Sequence, residues 1–147
     1  IVDMGIDRNS FLGEMACIIS QRLVAKTCPF CRKKIISPLN EKLPDRDLAV
    51  LEDGKYSYEA TGCPKCNYQG ILGRVPVIEI LAFDNELRDY FSVQRGLVET
   101  GIFLRIKGFR TMWSMGMDYV AKGDISLKEL LSTLVPDDEI KEKAEIR

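Results

Sequence analysis

Apolar residues in the second half of the chain recur at the three- and four-residue intervals of short amphipathic helices. The clearest case follows Asp84, a good N-cap residue, because Leu87 and Phe91 lie four positions apart behind it. The same spacing predicts three further helical stretches: 98–106, 111–122 with Gly123 as its C-terminal stop, and a segment opened by the capping box Ser126-Leu127-Lys128-Glu129. The chain after residue 84 is therefore predicted to be helical.

Shorter apolar runs in the first half predict strands and small turns of helix. Asn9 or Ser10 is expected to cap a short first helix. The run 17–24 fits either a continuation of that helix or a strand, and we favour a strand whose sheet partners lie outside the chain. The remaining predicted elements are a helix over 44–51 and strands over 55–58 and 77–83. The pattern as a whole predicts an α+β fold that is mostly helical.

The composition excludes several classes of protein. The 147 residues carry 21 Lys+Arg against 22 Asp+Glu, and a formal charge of −1 lacks the basic excess typical of nucleic-acid-binding domains. No apolar run reaches the ~20 residues of a membrane-spanning helix. Histidine is absent, which excludes Ser-His-Asp and Cys-His catalysis and any mixed Cys/His metal site.

A phosphate-binding loop is also missing from the sequence. The pattern G-x-x-x-x-G-K-[ST] has its one candidate at Gly54-Lys55, where Ala49 occupies the position of the first glycine. We therefore predict no catalytic and no nucleotide-binding residue here, and the chain alone is not expected to be an enzyme. Because the sequence begins with Ile1 and not with an initiator methionine, we expect an excised piece of a longer protein.

Four of the five cysteines form two Cys-x-x-Cys knuckles, Cys28 with Cys31 and Cys63 with Cys66. Each knuckle places two sulfurs on one side of a tight loop, and four thiolates suit a tetrahedral structural zinc ion. Such a site is closed, so a catalytic zinc is not expected. Iron, disulfides and a redox-active pair are the alternative interpretations. Cys17 lies in an apolar run and is expected to be a buried, inert thiol.

The second knuckle continues into a glycine-rich segment and a strand. Gly70 and Gly73 permit positive φ, Arg74 follows, and Glu79 begins the run Glu-Ile-Leu. With the two knuckles, this string resembles the C-terminal region of the type II secretion and type IV pilus assembly ATPases. The resemblance covers about residues 1–135, and its other matching stretches are 3–6, 16–24, 108–111, Gly116, 122–123 and 126–130. Pro76 and Met115 depart from the family pattern, since many members have glycine and an acidic residue there.

The resemblance implies a fold and a function for a longer parent protein. That parent would be a cytoplasmic, hexameric ATPase with a RecA-like core, peripheral to the inner membrane, which uses ATP and Mg to power protein secretion or pilus assembly. Within this chain the resemblance implies four segments: 1–27, the tail of the RecA-like domain; 28–74, the zinc-binding subdomain; 75–135, a C-terminal helical subdomain; and 136–147, a charged tail.

The resemblance also implies the ligands and partners of the chain. Zinc, held by Cys28, Cys31, Cys63 and Cys66, is the one cofactor expected here, while ATP and Mg belong to the full-length parent. The expected partners are inner-membrane platform proteins and the neighbouring subunits of a hexamer. Nucleic acid is not expected as a partner, and the membrane is expected to be reached only peripherally.

Several residues keep two interpretations. Arg74 and Glu79 form an intramolecular ion pair or face a partner, and Arg22 is either solvated or close to a neighbouring subunit's nucleotide. The basic run 32–34 is expected to be a solvated loop, with anionic lipid headgroups as the alternative contact. The Met- and aromatic-rich run 109–119 is expected to be mostly helix core, with a docking surface for a partner as the alternative. The rival function is a free-standing zinc-ribbon module that binds nucleic acid or a protein partner, which the charge balance does not favour.

Overall fold

The secondary structure is mixed, as the sequence predicts. The computed structural model describes residues 5–137, and within this range the chain forms an α+β fold with two small sheets. The helices are α1 (Arg8–Glu14), α2 (Asp45–Leu48), α3 (Asn85–Ser92), α4 (Leu97–Ile106), α5 (Met112–Lys122) and α6 (Leu127–Thr133). The strands are β1 (Cys17–Thr27), β2 (Arg32–Ile36), β3 (Tyr56–Ala60) and β4 (Ile71–Ala82), and short 3-10 turns cover Pro38–Lys42 and Pro64–Cys66. From residue 138 onward, the predicted charged tail lies outside the described residues.

Side-chain caps define the starts of several helices. The Asp84 carboxylate accepts a hydrogen bond from the Leu87 amide at 2.7 Å, as predicted. The expectation that Asn9 or Ser10 caps the first helix is wrong, because the Asp7 carboxylate accepts the Ser10 amide at 2.8 Å. A carboxylate three positions before that amide reaches it more directly than the side chains that lie within the first turn.

Strand β1 pairs with β4 in a long two-stranded ribbon. The Phe83 amide donates to the Ala16 carbonyl at one end (2.9 Å), and the Cys28 amide donates to the Gly70 carbonyl at the other (2.8 Å), so the strands run antiparallel. The strand prediction for 17–24 is confirmed. The expectation that its sheet partners lie outside the chain is wrong, because β4 of the same chain pairs with β1. The chain reverses through the two knuckles and returns alongside β1.

Strands β2 and β3 form the second antiparallel pair, in which Lys34 lies opposite Tyr58. The expectation that the basic run 32–34 is a solvated loop is therefore wrong. Lys34 forms an ion pair with Glu52, and its ammonium nitrogen lies 4.5 Å from the centre of the Tyr56 ring. Strand pairing and these contacts give the basic run an ordered backbone despite its polarity.

Two compact units can be distinguished. The smaller unit combines the described residues up to Ser20 with Glu79–Arg110, and the larger unit combines Gln21–Ile78 with the described residues from Thr111 onward. The core of the larger unit consists of buried apolar side chains: Val24, Leu43, Leu51, Val77, Trp113, Met117, Val120, Ile125, Leu127 and Leu130. The segments implied by the family resemblance refer to the domains of a longer protein, and they stay a prediction.

In the smaller unit, one arginine joins two stretches of chain. The Arg88 guanidinium donates to the carbonyl oxygens of Leu12 at 3.0 Å, Phe83 at 2.8 Å and Met15 at 2.8 Å. Hydrogen bonds from charged donors are stronger than neutral ones. Arg88 therefore fixes the end of α1 against the start of α3.

All the described helices are short. The longest, α5, has 11 residues. Among residues 5–137, no helix combines the length and the hydropathy required to cross a bilayer.

Helices α5 and α6 are in close contact at Gly116. A Cβ built on this residue would overlap the Cδ1 atom of Leu130, which is fully buried. Alanine is the better helix former by about 1 kcal/mol, but the packed core leaves Leu130 little room to move. We expect Gly116→Ala to lower the free energy of unfolding by about 1–3 kcal/mol, measured by denaturant titration.

Gly101 of α4 provides the matched control, because a Cβ at this position meets nothing within 4 Å. Gly101→Ala is expected to leave the stability of the larger unit unchanged and to stabilise its own helix by roughly 0.5–1 kcal/mol. If Gly116→Ala unfolds at the same denaturant concentration as the unmodified chain, the close approach of the two helices does not constrain this position.

Candidate metal centre

Four cysteine sulfurs converge where the two knuckles meet. The Sγ atoms are 3.9 Å apart for Cys28 and Cys63, 3.9 Å for Cys31 and Cys66, and 3.8 Å for Cys63 and Cys66. All four lie within 4.8 Å of one another. Cys28 and Cys66 are buried, whereas Cys31 and Cys63 are partly exposed. The structure thus brings together the four residues that the sequence predicts as metal ligands.

Residues with left-handed backbone conformation shape the second knuckle. Gly62 has φ of +92°, and a Cβ there would lie 2.5 Å from the Tyr68 carbonyl oxygen. Asn67 and Tyr68 have φ of 50° and 62°, and Gly70 has the predicted positive value, 73°. Gly62 is not among the residues predicted to matter from the sequence, although a glycine directly before Cys63 is a signal for a tight turn.

Backbone amides point at the sulfur of Cys66. The amide nitrogens of Cys63 and Gly70 lie 3.2 Å and 3.3 Å from this Sγ atom. Such donors stabilise a thiolate more than a neutral thiol. The Gly70 carbonyl accepts the Cys28 amide at 2.8 Å, so the same residue also joins the second knuckle to the first.

The surroundings lower the pKa of the Cys66 thiol and raise that of the Cys31 thiol. Burial raises the pKa of Cys66, but the amides of Cys63 and Gly70 outweigh this effect and bring the pKa down to about 6. For Cys31, burial is the largest effect and the neighbouring thiols add to it, so the pKa rises to about 12. Because metals bind thiolates, Cys66 is the better prepared of these two sulfurs for an incoming cation.

The spacing of the sulfurs fits a tetrahedral thiolate site. A metal–sulfur distance of ~2.3 Å separates the corners of a tetrahedron by about 3.8 Å. Three of the six sulfur pairs are 3.8–3.9 Å apart, and all six lie within 4.8 Å. A disulfide requires sulfurs ~2.05 Å apart, and all five cysteines are free. The group contains neither histidine nor carboxylate. A donor set of four thiolates suits zinc, and it also suits iron.

The two segments that carry the cysteines are rich in basic residues. Residues 28–36 and 59–74, which carry the cysteines, contain five basic residues and one acidic residue. Four thiolates around a divalent cation leave a net charge of about −2. Among residues 5–137, this is the one group of three or more metal-binding side chains that the fold assembles.

Four other residues of interest, Cys17, Arg22, Arg74 and Glu79, lie on the ribbon of β1 and β4. The expectation that Cys17 is buried is wrong, because it is exposed, as is its neighbour Ile19 (59% exposed). A two-stranded ribbon leaves side chains on both of its faces open to solvent at this end. Arg22 is exposed in β1, while Arg74 and Glu79 lie in β4, and their roles stay predictions.

Comparison with known proteins agrees with the resemblance. The family model described as Type II/IV secretion system protein matches residues 1–132. The chain is 30% identical over 131 residues to the type II secretion system protein HxcR of Pseudomonas aeruginosa, covering 89% of this chain and 24% of that protein. It is 31% identical over 136 residues to the type II secretion system ATPase E of Vibrio cholerae (88% and 25%). It is 28% identical over 134 residues to the type IV pilus assembly ATPase PilB of Thermus thermophilus (90% and 15%).

The chain therefore spans about a quarter or less of the length of these relatives. The family match, in contrast, covers nearly the whole of the chain, with both knuckles included. On this basis, the chain belongs to the type II/IV secretion system protein family.

Proposed function

We propose that this chain is the C-terminal, non-catalytic part of an ATPase of protein secretion or pilus assembly, stabilised by one zinc ion. The zinc ligands are Cys28, Cys31, Cys63 and Cys66. The observation that carries the proposal is the tetrahedral spacing of these sulfurs in a chain that matches the family over residues 1–132. When bound, zinc supplies a cross-link between two distant segments and no redox chemistry.

In this proposal, the chemistry of ATP belongs to the longer protein. The sequence has no phosphate-binding loop, and two of the relatives are named as ATPases. Residues 1–27 form the end of the RecA-like domain that binds ATP and Mg in the parent. Residues 28–74 are the zinc-binding subdomain, 75–135 the helical subdomain and 136–147 a charged tail.

The cross-linked segment transmits movement because it is rigid. Structural zinc sites bind with roughly 10–16 kcal/mol, which is comparable to or larger than the whole stability of a small domain, about 5–15 kcal/mol. A segment fixed in this way moves as one body when the ATPase core changes shape. We place it in the cytoplasm, between that core and the inner-membrane platform proteins, within a hexamer that meets the membrane through its partners.

Elemental analysis with thiol titration, before and after denaturation, tests the metal site. We expect one zinc per chain and four thiols that react only after the metal is released. Cys17 serves as an internal reference, since it is exposed and should react in the native chain. Bound iron would redirect the proposal to electron transfer, and two disulfides without metal would contradict it.

The coupling role is tested in the full-length protein in its own cells. Cys66→Ser is expected to reduce secretion or pilus assembly, whereas Cys17→Ser should leave either process intact. Normal export by a Cys66→Ser protein that has lost its zinc would contradict the coupling role. That result would leave the metal site itself in place.

A further inference from the structure

Residues on both sides of the first knuckle donate hydrogen bonds to the turn between α5 and α6. The amide of Thr27, directly before the knuckle, donates to the Asp124 carbonyl at 2.8 Å. Arg32, directly after the knuckle, donates from Nη1 to the Gly123 carbonyl at 2.6 Å. The knuckle and the turn are therefore joined by two hydrogen bonds, one from each flank.

Charge and ring packing reinforce this junction. The Asp124 carboxylate lies 4.0 Å from Arg32 Nη1 and 3.7 Å from Lys26 Nζ. The Arg32 guanidinium carbon lies 5.3 Å from the centre of the Tyr58 ring. A Cβ at Gly123 would lie 2.7 Å from the same ring, so the approach requires a glycine.

The position of this turn determines where α6 begins. Gly123 has φ of +74° and ends α5, as the sequence predicts. The next residues are Asp124, the fully buried Ile125, and Ser126, whose hydroxyl accepts the Glu129 amide at 3.2 Å. A shift of the turn would therefore move a core side chain and a helix cap together.

We propose that the metal centre acts as a latch on the α5–α6 turn. Metal binding fixes the Cys28–Cys31 knuckle, and Thr27 and Arg32 transmit that fixed position to the turn. Loss of the metal lets the knuckle move. Thr27 and Arg32 are then no longer held in position to donate their hydrogen bonds, and the turn opens more often. This inference rests on the proposed metal site and adds to it a defined structural response.

The latch has a reciprocal consequence. If metal binding stabilises the turn, contacts with the turn must strengthen metal binding by the same factor. A side chain that contacts the turn but is not a ligand is therefore expected to change zinc affinity. Arg32 is that side chain.

The test compares three zinc-loaded full chains: the unmodified one, Arg32→Gln and Lys33→Gln. Lys33 is the matched control, because it carries the same charge at the next position of β2, opposite Glu59 of β3. Hydrogen exchange reports on the amides of 123–125, and competition with a chromophoric chelator reports zinc affinity. For Arg32→Gln, we expect exchange to accelerate and zinc affinity to fall by a similar factor, roughly 5- to 150-fold. Lys33→Gln should remain near the unmodified chain in both measurements.

A second variant, Asp124→Asn, keeps the test decisive if Arg32→Gln fails to fold. It removes the carboxylate that faces Arg32 and Lys26 but retains the backbone carbonyl, so we expect the same changes on a smaller scale. Unchanged exchange at 123–125 in variants that each hold one zinc would overturn the latch while leaving the metal site intact. A fall in zinc affinity without faster exchange would also overturn it. A chain that binds no zinc would overturn both proposals.

Discussion

Replacing Cys66 by serine is expected to abolish zinc binding and to unfold the segment that the two knuckles close. Cys66 is 3% exposed and accepts two backbone amides, so the change removes a ligand and weakens both hydrogen bonds. Structural zinc contributes roughly 10–16 kcal/mol, and a small domain has about 5–15 kcal/mol in total. A chain without its metal is therefore expected to lose ordered structure in the larger unit at room temperature.

Elemental analysis and tryptophan fluorescence measure the two effects. The sequence contains one tryptophan, Trp113, in the core of the larger unit, so its emission reports that unit alone. Cys17→Ser is the matched control, because it makes the same chemical change at an exposed cysteine outside the cluster. We expect this control to keep its zinc and its buried fluorescence. Full zinc occupancy in Cys66→Ser would show that three thiolates suffice.

The assembly of the four cysteines could be predicted because the signal is local. Two Cys-x-x-Cys turns pre-arrange their own sulfur pairs, and one contact between the turns completes the cluster. The caps at Asp84 and Ser126 were predictable for the same reason, since each cap involves a backbone amide three residues away. Short-range chemistry of this kind can be read without knowledge of the rest of the fold.

The parts that the sequence did not predict depend on distant partners. Strand β1 pairs with β4, which follows both knuckles in the sequence. The basic run 32–34 pairs with strand β3. Arg32 contacts Gly123, which is 91 positions further along the chain. Cys17 is exposed although its own stretch is apolar, because hydrophobicity alone does not reveal which strands are covered.

One contact in the core of the larger unit is only partly predictable from the sequence. The sequence predicts that the run 109–119 is mostly helix core, and Trp113 and Met117 are buried there. The polar partner of the tryptophan was not predicted. Trp113 Nε1 donates to the Asp47 carboxylate at 2.6 Å, across 66 positions of sequence, and Asp47 itself is 7% exposed. Asp47 also lies 3.4 Å from the Arg46 Nε atom, so its buried charge has two partners.

Trp113→Ala is expected to destabilise the larger unit by about 3–5 kcal/mol or more, because it removes a large buried side chain and one partner of a buried carboxylate. Trp113→Phe separates the two effects, since it retains most of the buried ring and loses only the indole donor. For this variant, we expect a loss of about 1–3 kcal/mol. Circular dichroism during denaturant titration measures the free energy of unfolding of both variants. Tryptophan fluorescence cannot be used, because neither variant retains a tryptophan. If Trp113→Phe is as stable as the unmodified chain, the Asp47 contact contributes no net stability, and burial of the ring alone explains the loss in Trp113→Ala.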